Sequence, residues 1–255
     1  MAPDLVVLSP HLDDAVLSCG GRIATTTAAG GEAVVITVFT AEEPPGSLNP
    51  FAAELRRRWK LPAGEVMARR KSEDLEACRR LGAEARHWEV PEALYRVDAG
   101  GAPLYRDVAE LYGTPVPADA GLVGELAARI ATLSDAGRLL APLAVGGHVD
   151  HRLLRAAAEA SGRAMAYYED FPYTEWKWLA LARALGRASD WEPEVLALEP
   201  ALLERRAQAI EAYLSQVPSL FRTAGRLRRQ LRRAARRAGG ERVWRRRSTA
   251  AEPAR

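Results

Sequence analysis

The first forty residues contain a complete strand–helix–strand unit, and no other feature of the chain constrains its fold as strongly. Leu5-Val6-Val7-Leu8 is a short, continuous apolar run that stops at Ser9-Pro10, the pattern of a buried strand. Ala15-Val16-Leu17 opens a helical stretch to about Ala29, closed by Gly30-Gly31. Ala33-Val34-Val35-Ile36-Thr37-Val38-Phe39 is a second buried strand. Parallel strands joined by one helix form a βαβ unit, whose crossover is right-handed.

The alternation continues. A charged helix over residues 64–81 stops at Gly82 and precedes a strand at 86–90. Residues 91–118, rich in Pro, Gly and Tyr, read as loop. A helix at 121–134, a strand at 138–142, a helix at 153–162 and a strand at 164–168 follow. A helix near 175–185, a strand near 195–198 and a helix at 200–214 complete the series. The expected fold is α/β: a Rossmann-like, mostly parallel sheet with helices on both faces, plus a basic C-terminal helix. With 48% hydrophobic and 27% charged residues among 255, a disordered or fibrous chain is excluded. Two cysteines make no disulfide framework, the start lacks signal-peptide character, and no run approaches the roughly 18 apolar residues of a membrane span. The expected location is cytoplasmic, at most peripheral at the inner membrane face.

In such sheets ligands bind beyond the carboxyl ends of the strands, so functional residues should directly follow strands. Two polar clusters do: His11-Leu12-Asp13-Asp14 after the first strand, and His148-Val149-Asp150-His151 after the strand at 138–142. Three of the four histidines fall there, and the fourth, His87, is expected to be packed or on the surface. Imidazole and carboxylate donors suit zinc, and a catalytic zinc site combines three protein ligands with an open position. His11, Asp14 and one histidine of the second cluster would supply that set. Asp13 then remains as a base for a metal-acidified water, and the spare histidine, if protonated, would stabilise an oxyanion; together these make an amidase or esterase. The plainer alternative is that both clusters merely cap the helices they precede. The gathering of histidines argues against it. Gly20-Gly21 and Gly146-Gly147 match neither a dinucleotide nor a P-loop pattern, no GxSxG elbow occurs, and Cys19 is expected in the core.

Residues 10–21 (PHLDDAVLSCGG), with Pro142 and Gly146 through His151, resemble the LmbE-like (PIG-L) superfamily of zinc-dependent N-deacetylases, whose usual signatures are PHPDDE and HPDH. The segment RRKSEDLEACRRLG at 69–82 is similar to the family's R-x-x-E…A…LG helix, and the order of these motifs covers roughly residues 4–170. The resemblance implies hydrolysis of an acetamide on an N-acetylated amino sugar or glycoconjugate of N-acetylglucosaminyl type, releasing acetate and a free amine. It implies His11, Asp14 and His151 as ligands of zinc, or of another divalent metal in cells. Asp13 becomes the general base, His148 the oxyanion-stabilising group, and Asp150 the residue that orients a histidine. Arg70 matches an arginine that reaches substrate, against the alternative of a surface arginine on a charged helix. Leu12 and Val149 replace the signature prolines, and Ala15 stands where Glu is common. Val145 stands where some members carry tyrosine, and Pro91-Glu92-Ala93 replaces a frequent Pro-Asp-Gly. The last two departures bear on substrate. A catalytically inactive metal- or glycan-binding module, and the same site cleaving a non-acetyl amide, are the competing readings.

Tyr95, Tyr105, Tyr112, Phe171, Tyr173, Trp176 and Trp178 would either stack on sugar or cover helices. Residues 222–255 hold thirteen arginines against two glutamates, a net +11, which leaves −8 of the total +3 for residues 1–221. The chain therefore divides into a deacetylase domain, 1–221, and an Arg-rich helix and tail, 222–255. Leu220, Ala224, Leu227, Leu231, Ala234 and Ala238 form a narrow apolar stripe along that helix. It would dock on the body, or residues 222–247 would contact an anionic membrane surface or substrate. Nucleic acid is not the expected partner, for no recognition motif accompanies the charge.

Overall fold

The computed structural model describes residues 2–42, 50–59, 65–176 and 179–247. Its seven strands are β1 (Leu5–Ser9), β2 (Ala33–Phe39), β3 (Glu84–Val90), β4 (Leu139–Pro142), β5 (Ala166–Tyr168), β6 (Trp191–Leu196) and β7 (Glu241–Arg246). The helices are α1 (Asp14–Ala28), α2 (Pro50–Trp59), α3 (Val66–Arg80), α4 (Val108–Leu111), α5 (Ala120–Ala131), α6 (Val149–Ala160), α7 (Tyr173–Trp176), α8 (Ala180–Leu185), α9 (Pro200–Ile210), α10 (Val217–Phe221) and α11 (Ala224–Ala238).

One sheet holds every strand, in the order β3-β2-β1-β4-β5-β7-β6. Strands β1 to β5 are mutually parallel, and β7 lies antiparallel between β5 and β6. The period-2 alternation of a strand sends Leu5, Val7, Ala33 and Val35 to one face, where they pack with α1, α3, α9 and α11. Val6, Leu8, Val34 and Ile36 face the other side, toward α5 and α6. Both faces are covered, hence the unbroken apolar runs in β1 and β2. The chain winds outward from β1 through β2 to β3, then returns to β4 on the other side of β1, so the sheet reverses direction of growth between β1 and β4.

Three expectations change. The strand placed near 195–198 is Trp191–Leu196, and the stretch read as loop contains α4 and two short 3-10 turns. The basic segment is more than a helix and tail, because it supplies β7 to the interior of the sheet. A boundary at 221/222 therefore cuts through the sheet hydrogen bonding that joins β5 to β6. The apolar stripe of α11 faces inward: Leu227 and Leu231 are buried, with Ala234 packed beside them. Cys19 is in the core, as expected.

Candidate active site

The reversal point brings the two polar clusters together. Val6 and Val7 of β1 pair with Leu139 and Leu140 of β4, so the segments leaving both strands emerge side by side. Ser9 fixes the first turn: its hydroxyl donates to the His11 carbonyl and accepts from the Ala15 N–H. Asp13 occupies the N-cap of α1 but its side chain makes no capping bond, so the capping explanation fails for this residue. Asp14 turns back to accept from the His11 N–H at 3.0 Å. In the second cluster α6 begins at Val149, earlier than expected, because His148 caps it: its Nδ1 accepts from the Asp150 N–H at 3.2 Å. That bond puts the ring proton on Nε2, leaving a neutral imidazole with a donor toward the cavity. Burial and the neighbouring His11 hold His148 well below the usual histidine range, which favours the neutral imidazole over the protonated form considered from the sequence.

His11, His148 and His151 each offer a ring nitrogen, all within 4.8 Å of one another, a set able to hold a metal ion. A tighter set includes a carboxylate. Asp14 Oδ2 lies 3.2 Å from His11 Nδ1 and 3.2 Å from His151 Nε2. Donors bound at about 2.0–2.2 Å to one tetrahedral zinc would stand roughly 3.4 Å apart. The His151 Nε2 atom is buried and makes no hydrogen bond, as a metal donor would be left. The opposite nitrogens are held by carboxylates: His11 Nε2 by Asp150 Oδ2 at 2.9 Å, and His151 Nδ1 by Asp170 Oδ1 at 2.7 Å. Such partners fix ring orientation and raise donor basicity. Burial disfavours charge on both imidazoles, yet the carboxylates lift His11 to about 9 and His151 well above its ordinary value. Asp14, despite its burial, is held ionised by His151 and His11. A single dication can take the place of the two ring protons, so the residues fit the ion.

Asp13 stands apart from these pairings. Burial, then the Asp14 charge, raises it to about 8, partly offset by Arg70 and His11. Arg70 is no surface arginine: it is buried on α3 and ion-paired to Glu92 at 2.8 Å. Both line the same cavity of about 320 Å3 as His11, Asp13, Asp14, His148 and Asp150. A larger, mostly apolar groove of about 680 Å3 between α9 and α11 contains none of these groups. Of the aromatic candidates, Tyr112 and Tyr173 line the cavity, Tyr112 edge-on to His148 and Tyr173 edge-on to His151, their hydroxyls 3.2 Å apart. Gly146, at φ +98, permits this, since a Cβ there would sit 2.7 Å from the Tyr173 ring. Tyr95 and Tyr105 are core residues of the covering segment, and Phe171 stacks on Phe221. Trp178 and the Trp176 side chain lie outside the described residues.

Of the two cavity-lining histidines, Asp150 pairs with His11, its Oδ2 2.9 Å from His11 Nε2 and 4.0 Å from His148 Nδ1. Asp170, Glu92 and Arg96 were not anticipated. Asp170 follows β5 by two residues and Glu92 follows β3 by two, so the strand-end rule could have found both. His87 packs with its Nε2 3.0 Å from Asp74.

Residues 6–161 match the family described as PIG-L, GlcNAc-PI de-N-acetylase. The chain is 36% identical over 176 residues to a 2'-N-acetylparomamine deacetylase of Streptomyces fradiae, covering 66% of this chain and 57% of that protein. It is 31% identical over 182 residues to a protein of the same description from Niallia circulans, covering 65% and 66%. The match thus spans less than two thirds of either relative. Among solved structures, the zinc-inhibited form of teicoplanin deacetylase superposes with a TM-score of 0.79 at 29% identity, over 94% of this chain and 96% of that one. The N,N'-diacetylchitobiose deacetylase of Pyrococcus horikoshii shares the fold, with a TM-score of 0.58 at 18% identity over 95% and 84%.

Proposed function

The chain belongs to the PIG-L family of GlcNAc-PI de-N-acetylases, and on that premise we propose that it is a zinc-dependent hydrolase that removes the acetyl group from an N-acetylated amino sugar or glycoconjugate. The observation that carries this reading is the convergence of His11 Nδ1 and His151 Nε2 on one Asp14 oxygen, with the unpaired Asp13 carboxylate beside them. The relatives named as deacetylating acetylparomamine, and the deacetylase structures, support the substrate class.

His11, Asp14 and His151 would hold the ion, with His148 left free of it. When bound, zinc supplies Lewis acidity toward the acetamide carbonyl and acidifies water. Asp13 takes the proton from the attacking water and returns it to the departing amine nitrogen. His148 donates from Nε2 to the oxyanion that develops on the carbonyl oxygen. Asp150 keeps His11 Nδ1 turned toward the site. Arg70, in the cavity lining, would reach the sugar and lowers the proton affinity of Asp13, while Tyr112 and Tyr173 offer ring surface to the sugar.

The experiment is an acetate-release assay on zinc-reconstituted protein across N-acetylglucosaminyl lipids, inositols, malate conjugates and glycosylated natural products, with elemental analysis of variants. Release from at least one N-acetyl sugar is expected, and stoichiometric zinc with no release from any would overturn the reading. Asp14→Ala should lose zinc and His148→Ala keep it; the opposite result would replace the ligand set by the three histidines. The outer face of α11, which carries Arg226, Arg229, Arg233 and Arg236 and no acidic residue, is proposed to adsorb on anionic membrane surfaces.

A further inference from the structure

We propose that Arg96 is a positioning residue of the metal site, acting through Asp150 on His11; this rests on the reading of His11 as a ligand. Asp150 has no exposed surface. It nevertheless works as an ionised acceptor: Oδ2 receives the Ala93 N–H at 3.1 Å and faces His11 Nε2 at 2.9 Å. A carboxylate taken wholly out of water requires a paired cation or it stops being one. Arg96 supplies it, with one guanidinium nitrogen 2.7 Å from Asp150 Oδ1.

The guanidinium is itself fixed from several directions. The same nitrogen donates to the Pro91 carbonyl at 3.0 Å, and the Nε donates to Asp119 Oδ2 at 3.1 Å. Asp119 is held in turn by the Tyr105 hydroxyl at 2.7 Å. The rings of Phe39 and Tyr105 each lie 5.5 Å from the guanidinium carbon. Phe39 ends β2, Pro91 follows β3, and Asp119 precedes α5, so Arg96 couples three parts of the fold to one oxygen of Asp150. The chain of contact runs from Asp119 through Arg96 and Asp150 to His11, whose Nδ1 then points at Asp14. The planar fork matters as much as the charge, because a lysine ammonium cannot reach Asp119, Asp150 and the Pro91 carbonyl together. Arg96 is not itself part of the cavity lining and touches no proposed ligand, so its effect should appear in metal affinity before chemistry.

The test is a double-mutant cycle on zinc affinity, measured by competition with a chromophoric chelator, in Arg96→Gln, Asp150→Asn and the double variant. Metal-free thermal stability is recorded alongside. Arg96→Gln should weaken zinc by about 10–100-fold, the range for outer-sphere partners of ligating histidines, and add less than about twofold once Asp150 is Asn. Zinc affinity within twofold of wild type in Arg96→Gln, or full additivity with Asp150→Asn, overturns the proposal. A merely structural role would lower the melting temperature equally in both backgrounds and leave zinc affinity unchanged. If Arg96→Gln does not fold, Arg96→Lys is read by the same criteria. His11→Ala checks the premise separately: unchanged zinc there would refute the ligand reading rather than the role of Arg96.

Discussion

At the level of single residues, the site separates groups by what surrounds their charge. Asp13 and Asp14 are neighbours, yet Asp14 is held ionised between two imidazoles while burial pushes Asp13 up to about 8. In the unfolded chain Asp13 ionises near pH 4, so between pH 4 and 8 folding of the metal-free protein takes up a proton at this position. The stability this contributes is complete below pH 4 and is lost as pH rises through 8. Asparagine mimics the protonated form and escapes that loss. Metal-free Asp13→Asn should therefore melt above wild type at pH 8, with the gap closing toward pH 5. A gap independent of pH, by differential scanning fluorimetry, would contradict the burial of an ionisable carboxyl there. With zinc restored, Asp13→Ala should keep the metal and lose about a hundredfold or more in acetate release, and wild-type rates would remove it as the base. The proposed ligands and base were legible because histidines and aspartates gather in two short clusters that follow β1 and β4. Arg96 was hidden, for it stands outside any such cluster in a stretch without periodicity, and its meaning depends on Asp119 and Asp150, distant in sequence.

At the level of elements, α1 shows what periodicity alone conceals. The Gly20-Gly21 pair is buried within α1. A regular helix would join the Gly21 N–H to the Leu17 carbonyl, but two foreign side chains pair with those groups. Glu241 accepts from the Gly21 and Arg22 N–H groups at 2.6 and 2.7 Å, and Arg206 donates to the Leu17 carbonyl. Arg206 and Glu241 are themselves ion-paired at 3.0 Å, locking α9 and β7 onto α1. A Cβ on Gly21 would stand 2.4 Å from Leu198 and 2.6 Å from Glu241. Gly21→Ala should cost about 1–3 kcal/mol, the range for overpacking a close-packed site, read from urea denaturation; a cost below about 0.5 kcal/mol would mean the wedge is dispensable. Strands β1 and β2 were legible as unbroken apolar runs because both sheet faces are covered. β7 was not, because ERVWRR places Val243 in the core amid charges whose partners, Glu169 and Glu194, come from other segments. The sequence pattern of a basic arm thus described its charge correctly and its topology only in part.

At the level of the whole molecule, the asymmetry between −8 and +11 survives folding as two kinds of arginine. One kind is internally satisfied: Arg228 pairs with Glu204 and Glu211, Arg237 with Glu175, Arg242 with Glu169 and Arg245 with Glu194. The other kind is the exposed row Arg226, Arg229 and Arg236, joined by Arg233, whose Nε lies 3.8 Å from Glu175, all opposite the buried Leu227 and Leu231. With the apolar stripe committed to the core, α11 has no large apolar side chain to insert, so contact with a lipid surface would be electrostatic. Four arginines near an anionic surface contribute on the order of 1 kcal/mol each at low ionic strength. Near 0.5 M salt the screening length falls to about 4 Å and little of this remains. The protein should therefore pellet with vesicles containing phosphatidylglycerol at low salt, release near 0.5 M salt, and ignore phosphatidylcholine vesicles. Deleting residues 222–255 is the wrong control, since it removes β7 from the sheet. The triple substitution R226E/R229E/R236E leaves the Thr223 cap, the Arg233 and Arg237 pairs with Glu175 and the buried stripe untouched and should abolish pelleting while acetate release from a soluble substrate is retained. Equal pelleting of wild type and triple variant, or wild-type binding that persists at 0.5 M salt, would reject the arginine row as the membrane contact, and preference for duplex DNA over vesicles would transfer it to a nucleic-acid partner.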